Sequence, residues 1–250
     1  MKENELIFGT RAVIEAVQAG KEIDKILVRR EAKNDLTKEL FDTLKERDIP
    51  VQRVPVERLD RITRKNHQGV IALMSSVTYH KLEDLIPFIF EQGKSPFIVL
   101  LDGVTDVRNF GAIARTCECA GVDGIVIPAH GSVTVNADAV KTSAGALHTL
   151  PVCKERTIHD AIRFLQASGV KVFAATEKAT ELYTSVSYEG PVALVVGAED
   201  TGVSSENLRI ADHMVKIPQF GTIGSLNVSV ASSVLIYEVV RQRINNLNTK

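Results

Sequence analysis

The chain of 250 residues is long enough for one large or two modest domains, and it is 44% hydrophobic and 24% charged with a formal net charge of −1. This balance is ordinary for a folded globular protein and argues against one that holds nucleic acid through bulk charge. No apolar run approaches the roughly 20 residues that cross a bilayer, and the charged N-terminus is unlike a signal peptide. We therefore expect a cytoplasmic protein in which any contact with nucleic acid is local.

The first eighty residues alternate between helix-like and strand-like patterns. Thr10 is placed to cap a short helix that stops at Gly20, and apolar residues at helical spacing predict a second helix before Pro50. Short apolar runs predict strands at residues 25–29, 51–54 and 70–74. We interpret residues 1–78 as a small α/β domain.

A connecting segment follows at residues 79–95 and is broken by Pro87 and Gly93. Its apolar positions indicate no more than a helical turn or two. We interpret the segment as a linker, with a domain boundary near Gly93 and a second domain over residues 96–250.

Near-continuous apolar runs dominate the second domain. Strands that are buried on both faces have this composition, and they occur in parallel sheets covered by helices. The runs lie at residues 97–101, 124–127, 170–175, 192–196 and 214–217. Helices are predicted at residues 109–120, 157–167 and 204–210, with a long one from Ser225 to about Ile244. The pattern predicts a doubly wound parallel α/β layer with its ligand at the carboxyl ends of the strands.

Three apolar runs break into glycine and polar residues, at residues 102–116, 194–203 and 220–231. Glycines such as Gly221 and Gly224 let the backbone come close to a ligand. We therefore expect one composite site built from the three breaks. Asp102 and Asp106, in the first break, are interpreted as turn residues.

The sequence lacks the motifs of several common enzyme classes. Neither a P-loop nor a Gly-x-Gly-x-x-Gly fingerprint is present, which removes most support for a kinase, an ATPase or a dinucleotide dehydrogenase. A nucleophile elbow and a metal-ligand spacing are also missing. The three cysteines lack a Cys-x-x-Cys pair, and we interpret Cys117, Cys119 and Cys153 as idle thiols of a reducing cytosol.

Three segments together resemble the motifs of the TrmH/SpoU ribose 2′-O-methyltransferases, which belong to the SPOUT superfamily of S-adenosyl-L-methionine (AdoMet)-dependent RNA methyltransferases. They are residues 109–115 (NFGAIAR), 196–202 (VGAEDTG) and 217–231 (IPQFGTIGSLNVSVA). Two N-terminal segments, residues 8–16 (FGTRAVIEA) and 66–72 (NHQGVIA), are similar to the substrate-binding domain fused to that catalytic domain in bacterial 23S ribosomal RNA guanosine enzymes.

The resemblance implies a parallel-sheet catalytic domain whose C-terminal segment is threaded into a trefoil knot, a rare exception to the rule that folds are unknotted. It implies a preceding small α/β (L30e-like) RNA-binding domain. It also implies a homodimer with the active site at the subunit interface.

The resemblance further assigns residues to the cofactor AdoMet. These are Gly197, Ile217 and Leu226, to which we add Ser225 from the same segment and Thr176, which ends a predicted strand. From the residues alone, Ile217 and Leu226 would be taken as core, and Ser225 is also placed as an N-cap of the last helix. Gly197 stands apart, because a glycine after a buried strand indicates a close backbone approach.

The same resemblance assigns catalysis to Arg115. It places Asn109, Glu199 and Asn227 around the target nucleotide. A guanidinium is a poor base, so we expect Arg115 to hold the adjacent phosphate and stabilise negative charge on the attacking oxygen. Without the resemblance, Arg115 would be assigned to a surface ion pair with Glu118. Asn109 is also placed to cap the first-motif helix.

The N-terminal domain carries the residues expected to contact RNA, mainly through its backbone and shape. They are Arg11, Arg61, Arg64, Lys65 and His67. From charge alone, a solvated helix face explains the basic cluster as well.

The sequence thus predicts metal-free methyl transfer from AdoMet to the ribose 2′-hydroxyl of a guanosine in 23S ribosomal RNA, by resemblance in the P-loop of the peptidyl-transferase region. A transfer-RNA methyltransferase or an antibiotic-resistance methylase would share the catalytic motifs. A non-catalytic ribosome-assembly factor and a small-molecule α/β enzyme also stay open.

Overall fold

A computed structural model describes residues 6–45, 47 and 49–247. The chain divides into two compact units. One holds the residues up to Thr78 together with Thr134–Ala137, and the other holds Tyr79–Val133 and the residues from Asp138 onwards.

The first unit is a four-stranded sheet with three helices. Its elements are β1 (Leu6–Phe8), α1 (Thr10–Gln18), β2 (Ile23–Arg29), α2 (Asp35–Leu44), β3 (Val51–Val54), α3 (Val56–Ile62) and β4 (Val70–Met74). The strand order is β1-β4-β2-β3, in which only the β2–β3 pair is parallel. Thr10 does not cap α1, because it is buried as the first residue of the helix, and Gly9 precedes it at a φ of 90°.

The second unit is built on an eight-stranded sheet. Its elements are β5 (Tyr79–His80), α4 (Leu82–Glu91), β6 (Phe97–Asp102), α5 (Val107–Cys119), β7 (Gly124–Pro128), α6 (Ala137–Thr142), β8 (Val152–Glu155), α7 (Ile158–Ala167), β9 (Lys171–Ala175), β10 (Glu181–Leu182), β11 (Val192–Gly197), α8 (Ser205–Ile210), β12 (His213–Lys216) and α9 (Val228–Leu247). The strand order is β10-β12-β9-β11-β6-β7-β8-β5, and every neighbouring pair is parallel. The predicted parallel α/β sheet is confirmed.

The segment predicted as a linker is part of this second unit. Strand β5 pairs with β8, and α4 buries Leu82, Ile86 and Ile89 in the same core as strands β6, β7, β8, β9 and β11. The units therefore divide after Thr78 and not near Gly93, since the apolar positions of residues 79–95 pack as a full helix.

Strands β9, β11 and β6 lie side by side at the centre of the sheet, with Gly197 at the end of β11 in register with Asp102 at the end of β6. Chain order reverses here, because β6 lies between β7, which follows it in the chain, and the much later β11. Such a reversal point is where open parallel sheets form ligand crevices. None of the described helices is long and apolar enough to cross a membrane.

Candidate active site

A cavity of about 450 Å³ opens at the carboxyl ends of β9, β11 and β12. Its walls are the strand ends, the loop that follows β11 and the loop that precedes α9. All five residues predicted to hold a cofactor lie on these walls, namely Thr176, Gly197, Ile217, Ser225 and Leu226. The volume lies within the usual range for small-molecule sites.

The loop after β11, residues 198–204 (hereafter the second-motif loop), folds back onto the strand that carries it. A Cβ on Gly197 would lie 1.9 Å from the carbonyl carbon of Gly202 and 2.1 Å from the backbone nitrogen of Val203. Gly202 donates its N–H to the carbonyl of Ala198 at 2.8 Å, which closes the turn. The predicted close backbone approach is present, but what approaches Gly197 is its own loop.

Three side chains from the three sequence motifs meet at one point, which we name the Asn–Glu–Asn cluster: Asn109, Glu199 and Asn227. Oε1 of Glu199 accepts hydrogen bonds from Nδ2 of Asn109 at 3.3 Å and from Nδ2 of Asn227. The same oxygen accepts the N–H of Val228 at 3.3 Å. The carboxylate thereby lies at the N-terminus of α9, where the helix dipole favours negative charge.

The caps of the two motif helices differ from those predicted. Helix α5 begins at Val107, and Oδ1 of Asp106 accepts the N–H of Asn109 at 2.8 Å, so Asp106 is the cap. Helix α9 begins at Val228, and Oδ1 of Asn227 accepts the N–H of Ser229 at 3.0 Å. Ser225 therefore does not cap α9, and Asn109 does not cap α5. Both side chains are left to face the site.

Arg115 lies on α5 away from the cluster. It follows Asn109 by six residues, which places it about 9 Å along the helix and about 120° around it. Its side chain is exposed and has no hydrogen bond or ion pair within the described part of the chain, so the alternative ion pair with Glu118 does not form. No α5 residue lines the cavity as described.

The cavity walls are acidic. Glu177, Glu199 and Asp200 line them against a single cation, Lys178, among the described residues. No group of three or more His, Cys, Asp or Glu within the described ranges could hold a metal ion. The walls favour a cationic ligand and offer no metal centre.

Sequence reasoning missed Asp102, which binds both ends of the second-motif loop. Its carbonyl accepts the N–H of Ala198 at 3.0 Å, and its carboxylate accepts the N–H of Ser204 at 2.8 Å. Its role depends on a tertiary contact that no local sequence pattern indicates, because the two strands that meet here are separated by most of the domain.

In the N-terminal unit, Arg61 and Arg64 are exposed and have no hydrogen bond or ion pair among the described residues. Lys65 is exposed and lies over the ring of Phe8 at 5.7 Å. Arg11 is exposed, but it forms an ion pair with Glu39 at 2.9 Å.

His67 differs from its predicted role in RNA contact. The residue is only 9% exposed. Nδ1 accepts the N–H of Gly69 at 3.0 Å, and Nε2 lies 2.9 Å from Oδ1 of Asp60. Because Nδ1 accepts a hydrogen bond, the ring proton is on Nε2, which donates a hydrogen bond to Asp60. Both ring nitrogens are engaged within the unit, so His67 holds the turn before β4.

Comparison with known proteins assigns a family to this chain, and two family profiles match most of its length. The profile of the SpoU rRNA methylase family matches residues 96–237, and a profile described as RNA 2′-O ribose methyltransferase substrate binding matches residues 6–80. The chain belongs to the SpoU rRNA methylase family. A Bacillus subtilis protein assigned to the TrmH family of tRNA/rRNA methyltransferases is 30% identical over 242 residues, which cover 97% of each chain.

Solved structures extend the likeness to three dimensions. An AdoMet-bound rRNA methyltransferase from Sinorhizobium meliloti is 28% identical with a TM-score of 0.60, covering 94% of this chain and 86% of that one. A TrmH/SpoU tRNA-modifying enzyme from A. aeolicus is 32% identical with a TM-score of 0.56, covering 66% of this chain and 85% of that one. The first structure therefore aligns with nearly the whole of this SpoU chain, whereas the second aligns with about two thirds of it.

Proposed function

We propose that the protein transfers a methyl group from AdoMet to the ribose 2′-hydroxyl of a guanosine in 23S ribosomal RNA. The observation that carries this proposal is the acidic cavity at the strand ends, with the Asn–Glu–Asn cluster at its edge. One wall of the cavity holds Glu199, so the ligand site and the cluster are continuous.

The cavity residues fit AdoMet. Backbone groups around Gly197, Ile217 and Leu226 would hold its uncharged parts, and the carboxylates of Glu177 and Asp200 would suit its positive charge. Bound there, AdoMet supplies an electrophilic methyl group on a sulfonium ion. Gly224 lines the cavity, and a Cβ added there would meet nothing within 4 Å, so the loop that precedes α9 leaves open space on the cavity side.

The remaining chemistry requires a hydroxyl to be held in line and to lose its proton. The two asparagine amides and Glu199 form a fixed polar edge that is suited to orienting a ribose. An arginine stays protonated throughout, so Arg115 would hold the neighbouring phosphate and stabilise negative charge on the attacking oxygen.

We propose that Arg115 acts on the cavity of a second subunit. Within one chain, it lies about 9 Å along α5 from Asn109 and on a different face. Helix α9, bonded to α5 through Thr116 and Ser233 at 3.1 Å, exposes an apolar stripe at seven-residue spacing. The stripe consists of Val230, Tyr237 and Ile244, which are 49%, 51% and 52% exposed. Such a stripe is typical of a helix that packs on a partner.

The N-terminal unit favours ribosomal over transfer RNA. The Sinorhizobium meliloti rRNA enzyme aligns with 94% of this chain, whereas the A. aeolicus tRNA enzyme aligns with 66%. The profile described as RNA 2′-O ribose methyltransferase substrate binding matches residues 6–80, and we take this region to be the additional length. The trefoil knot implied by the SPOUT resemblance belongs to the same proposal.

The test is transfer of tritiated methyl from AdoMet to large-subunit ribosomal RNA that lacks its own 2′-O-methylations, with Arg115→Ala in parallel. We expect incorporation at one guanosine ribose and its loss in the variant. Incorporation into transfer RNA alone would overturn the ribosomal assignment. RNA binding without methyl transfer to naked RNA or to assembly intermediates would favour an assembly factor.

A further inference from the structure

Asp102 closes the second-motif loop at both ends. Its backbone carbonyl accepts the N–H of Ala198 at 3.0 Å, at the start of the loop. Oδ2 of its carboxylate accepts the N–H of Ser204 at 2.8 Å, at the end of the loop. The residues between these two points, 199–203, include Glu199 and part of the cavity wall. One residue at the end of β6 thus fixes the span of the second-motif loop.

The same carboxylate also anchors the helix that follows the loop. Oδ2 of Asp102 accepts a hydrogen bond from Nδ2 of Asn207 at 2.8 Å, and Asn207 is only 4% exposed. Ser204, at the N-cap of α8, bonds to both Asp102 and Asn207. Its N–H donates to Asp102, and its Oγ accepts the N–H of Asn207 at 3.4 Å. The end of the loop is therefore held by a buried amide and a partly buried carboxylate.

We propose that Asp102 is a positioning residue for methyl transfer, acting through the second-motif loop on Glu199 and on the cavity wall. This inference rests on the proposed function. Without the bond to Ser204, the loop is free to lift from the strand ends, and Glu199 moves away from Asn109 and Asn227. A displacement of about 1 Å at a catalytic group can lower a rate about 100-fold.

A matched control exists on the other side of the domain. Asp212 makes an equivalent pair of bonds, accepting the N–H of Val172 at 2.8 Å and Nε2 of Gln166 at 3.1 Å. It does not line the cavity as described. Asp102→Ala and Asp212→Ala each remove one backbone and one side-chain hydrogen bond, but only the first touches the second-motif loop.

A second pair of variants tests the single bond at Ser204. Its φ of −59° is the value that proline requires, so Ser204→Pro removes the N–H and keeps this φ. Ser204→Ala removes the capping hydroxyl and keeps the N–H. Asp102→Asn keeps an acceptor oxygen, and we expect it to retain most of the function.

The measurements are thermal unfolding, the AdoMet Kd by calorimetry without RNA, and kcat and KM for methyl transfer. We expect Asp102→Ala and Ser204→Pro to raise the AdoMet Kd about tenfold and to lower kcat about 100-fold. Asp212→Ala and Ser204→Ala should leave both constants within about twofold, at a comparable loss of melting temperature.

Equal effects of Asp102→Ala and Asp212→Ala on Kd and kcat would overturn the inference, as would Ser204→Pro behaving like Ser204→Ala. If Asp102→Ala does not fold, the Ser204 pair and Asp102→Asn decide the question. If the wild type binds AdoMet but transfers no methyl group to RNA, the proposed function fails, while the Kd comparison still tests Asp102.

Discussion

The side chain of Asn227 donates a hydrogen bond to Oδ1 of Asn109 at 3.1 Å, although 118 residues separate them along the chain. Nδ2 of each asparagine also donates to Oε1 of Glu199. Since a carboxylate can only accept, Glu199 fixes which end of each amide faces inward. The cluster is therefore oriented before any substrate arrives, with the three motifs joined at one oxygen.

Removal of that oxygen should separate activity from stability. The side chain of Glu199 is exposed, so water replaces its hydrogen bonds in Glu199→Ala, and we expect the melting temperature to fall by no more than a few degrees. Methyl transfer should fall about 10- to 100-fold, because the two amides lose their orientation. Glu206→Ala, an exposed carboxylate on α8, is the control. Equal activity of the two variants would contradict a role for the cluster.

Three glycines should respond differently to alanine. In Gly197→Ala the new methyl group would collide with the backbone of Gly202 and Val203, so both stability and AdoMet binding should be lost. Gly224 lines the cavity, and a Cβ added there would meet nothing within 4 Å, so Gly224→Ala should weaken AdoMet binding alone.

Gly221→Ala is the matched control for this series, since it has the same open surroundings but does not line the cavity as described. Thermal unfolding and calorimetric titration with AdoMet measure the two effects. A Gly197→Ala variant with wild-type stability would contradict the close packing of the second-motif loop.

The sequence predicted the catalytic sheet well because its central strands are buried on both faces, so each one is a continuous apolar run. Strands β5, β8 and β10 were missed, since β5 and β10 have two residues each and β8 has only two apolar residues before Lys154 and Glu155. The helix caps were misplaced for a local reason. Asp106 and Asn109 are both capping residues three positions apart, and only the folded backbone selects between them.

The five residues predicted to bind a cofactor line one cavity, but their arrangement was not predicted. Four of them stand in the motifs and Thr176 ends a strand, whereas the packing of Gly197 against its own loop depends on a turn that composition does not encode. His67 looked like one of a basic cluster, and its partner Asp60 lies across a turn. The separation of Arg115 from the cavity follows from helix geometry that spacing alone could have indicated.

The carboxyl of Asp123 should make stability depend on pH. Burial raises its pKa, outweighing the hydrogen bond from Phe97 and the charges of Arg243 and Lys94, which lower it. The folded state then holds the proton more tightly than the unfolded chain. Stability is therefore lost as the pH rises from the ordinary value near 4 through the folded pKa, and the loss is complete above it.

Asp123→Asn removes this titration and keeps an oxygen for the N–H of Phe97, which Oδ2 of Asp123 now accepts at 2.8 Å. We expect the melting temperature of the variant, relative to wild type, to improve as the pH rises from about 4. Asp160→Asn should show the opposite trend, since hydrogen bonds from Thr157 and Arg156 lower the pKa of Asp160. Parallel pH profiles for both variants would contradict the assignment.

The N-terminal unit should contribute to RNA affinity through charge. The slope of log affinity against log salt falls by about 1 for each phosphate that the protein no longer binds, so the double variant Arg61→Ala and Arg64→Ala should lower it by up to about 2. Arg11→Ala should change the slope less, because Glu39 already neutralises that guanidinium. Filter binding of ribosomal RNA across a salt series measures this. Equal slopes for wild type and both variants would place the RNA elsewhere.

Mixed subunits test whether Arg115 acts across the dimer. Arg115→Ala keeps the cavity and its cluster, and Glu199→Ala keeps the arginine, so we expect each homodimer to retain no more than about a tenth of wild-type activity. If Arg115 serves the cavity of its partner, a heterodimer of the two has one intact site. Random exchange in an equal mixture should then restore about a quarter of wild-type activity per dimer. If Arg115 serves its own cavity, the mixture stays as inactive as the two homodimers. Arg115→Ala taken alone through the same exchange step provides the baseline.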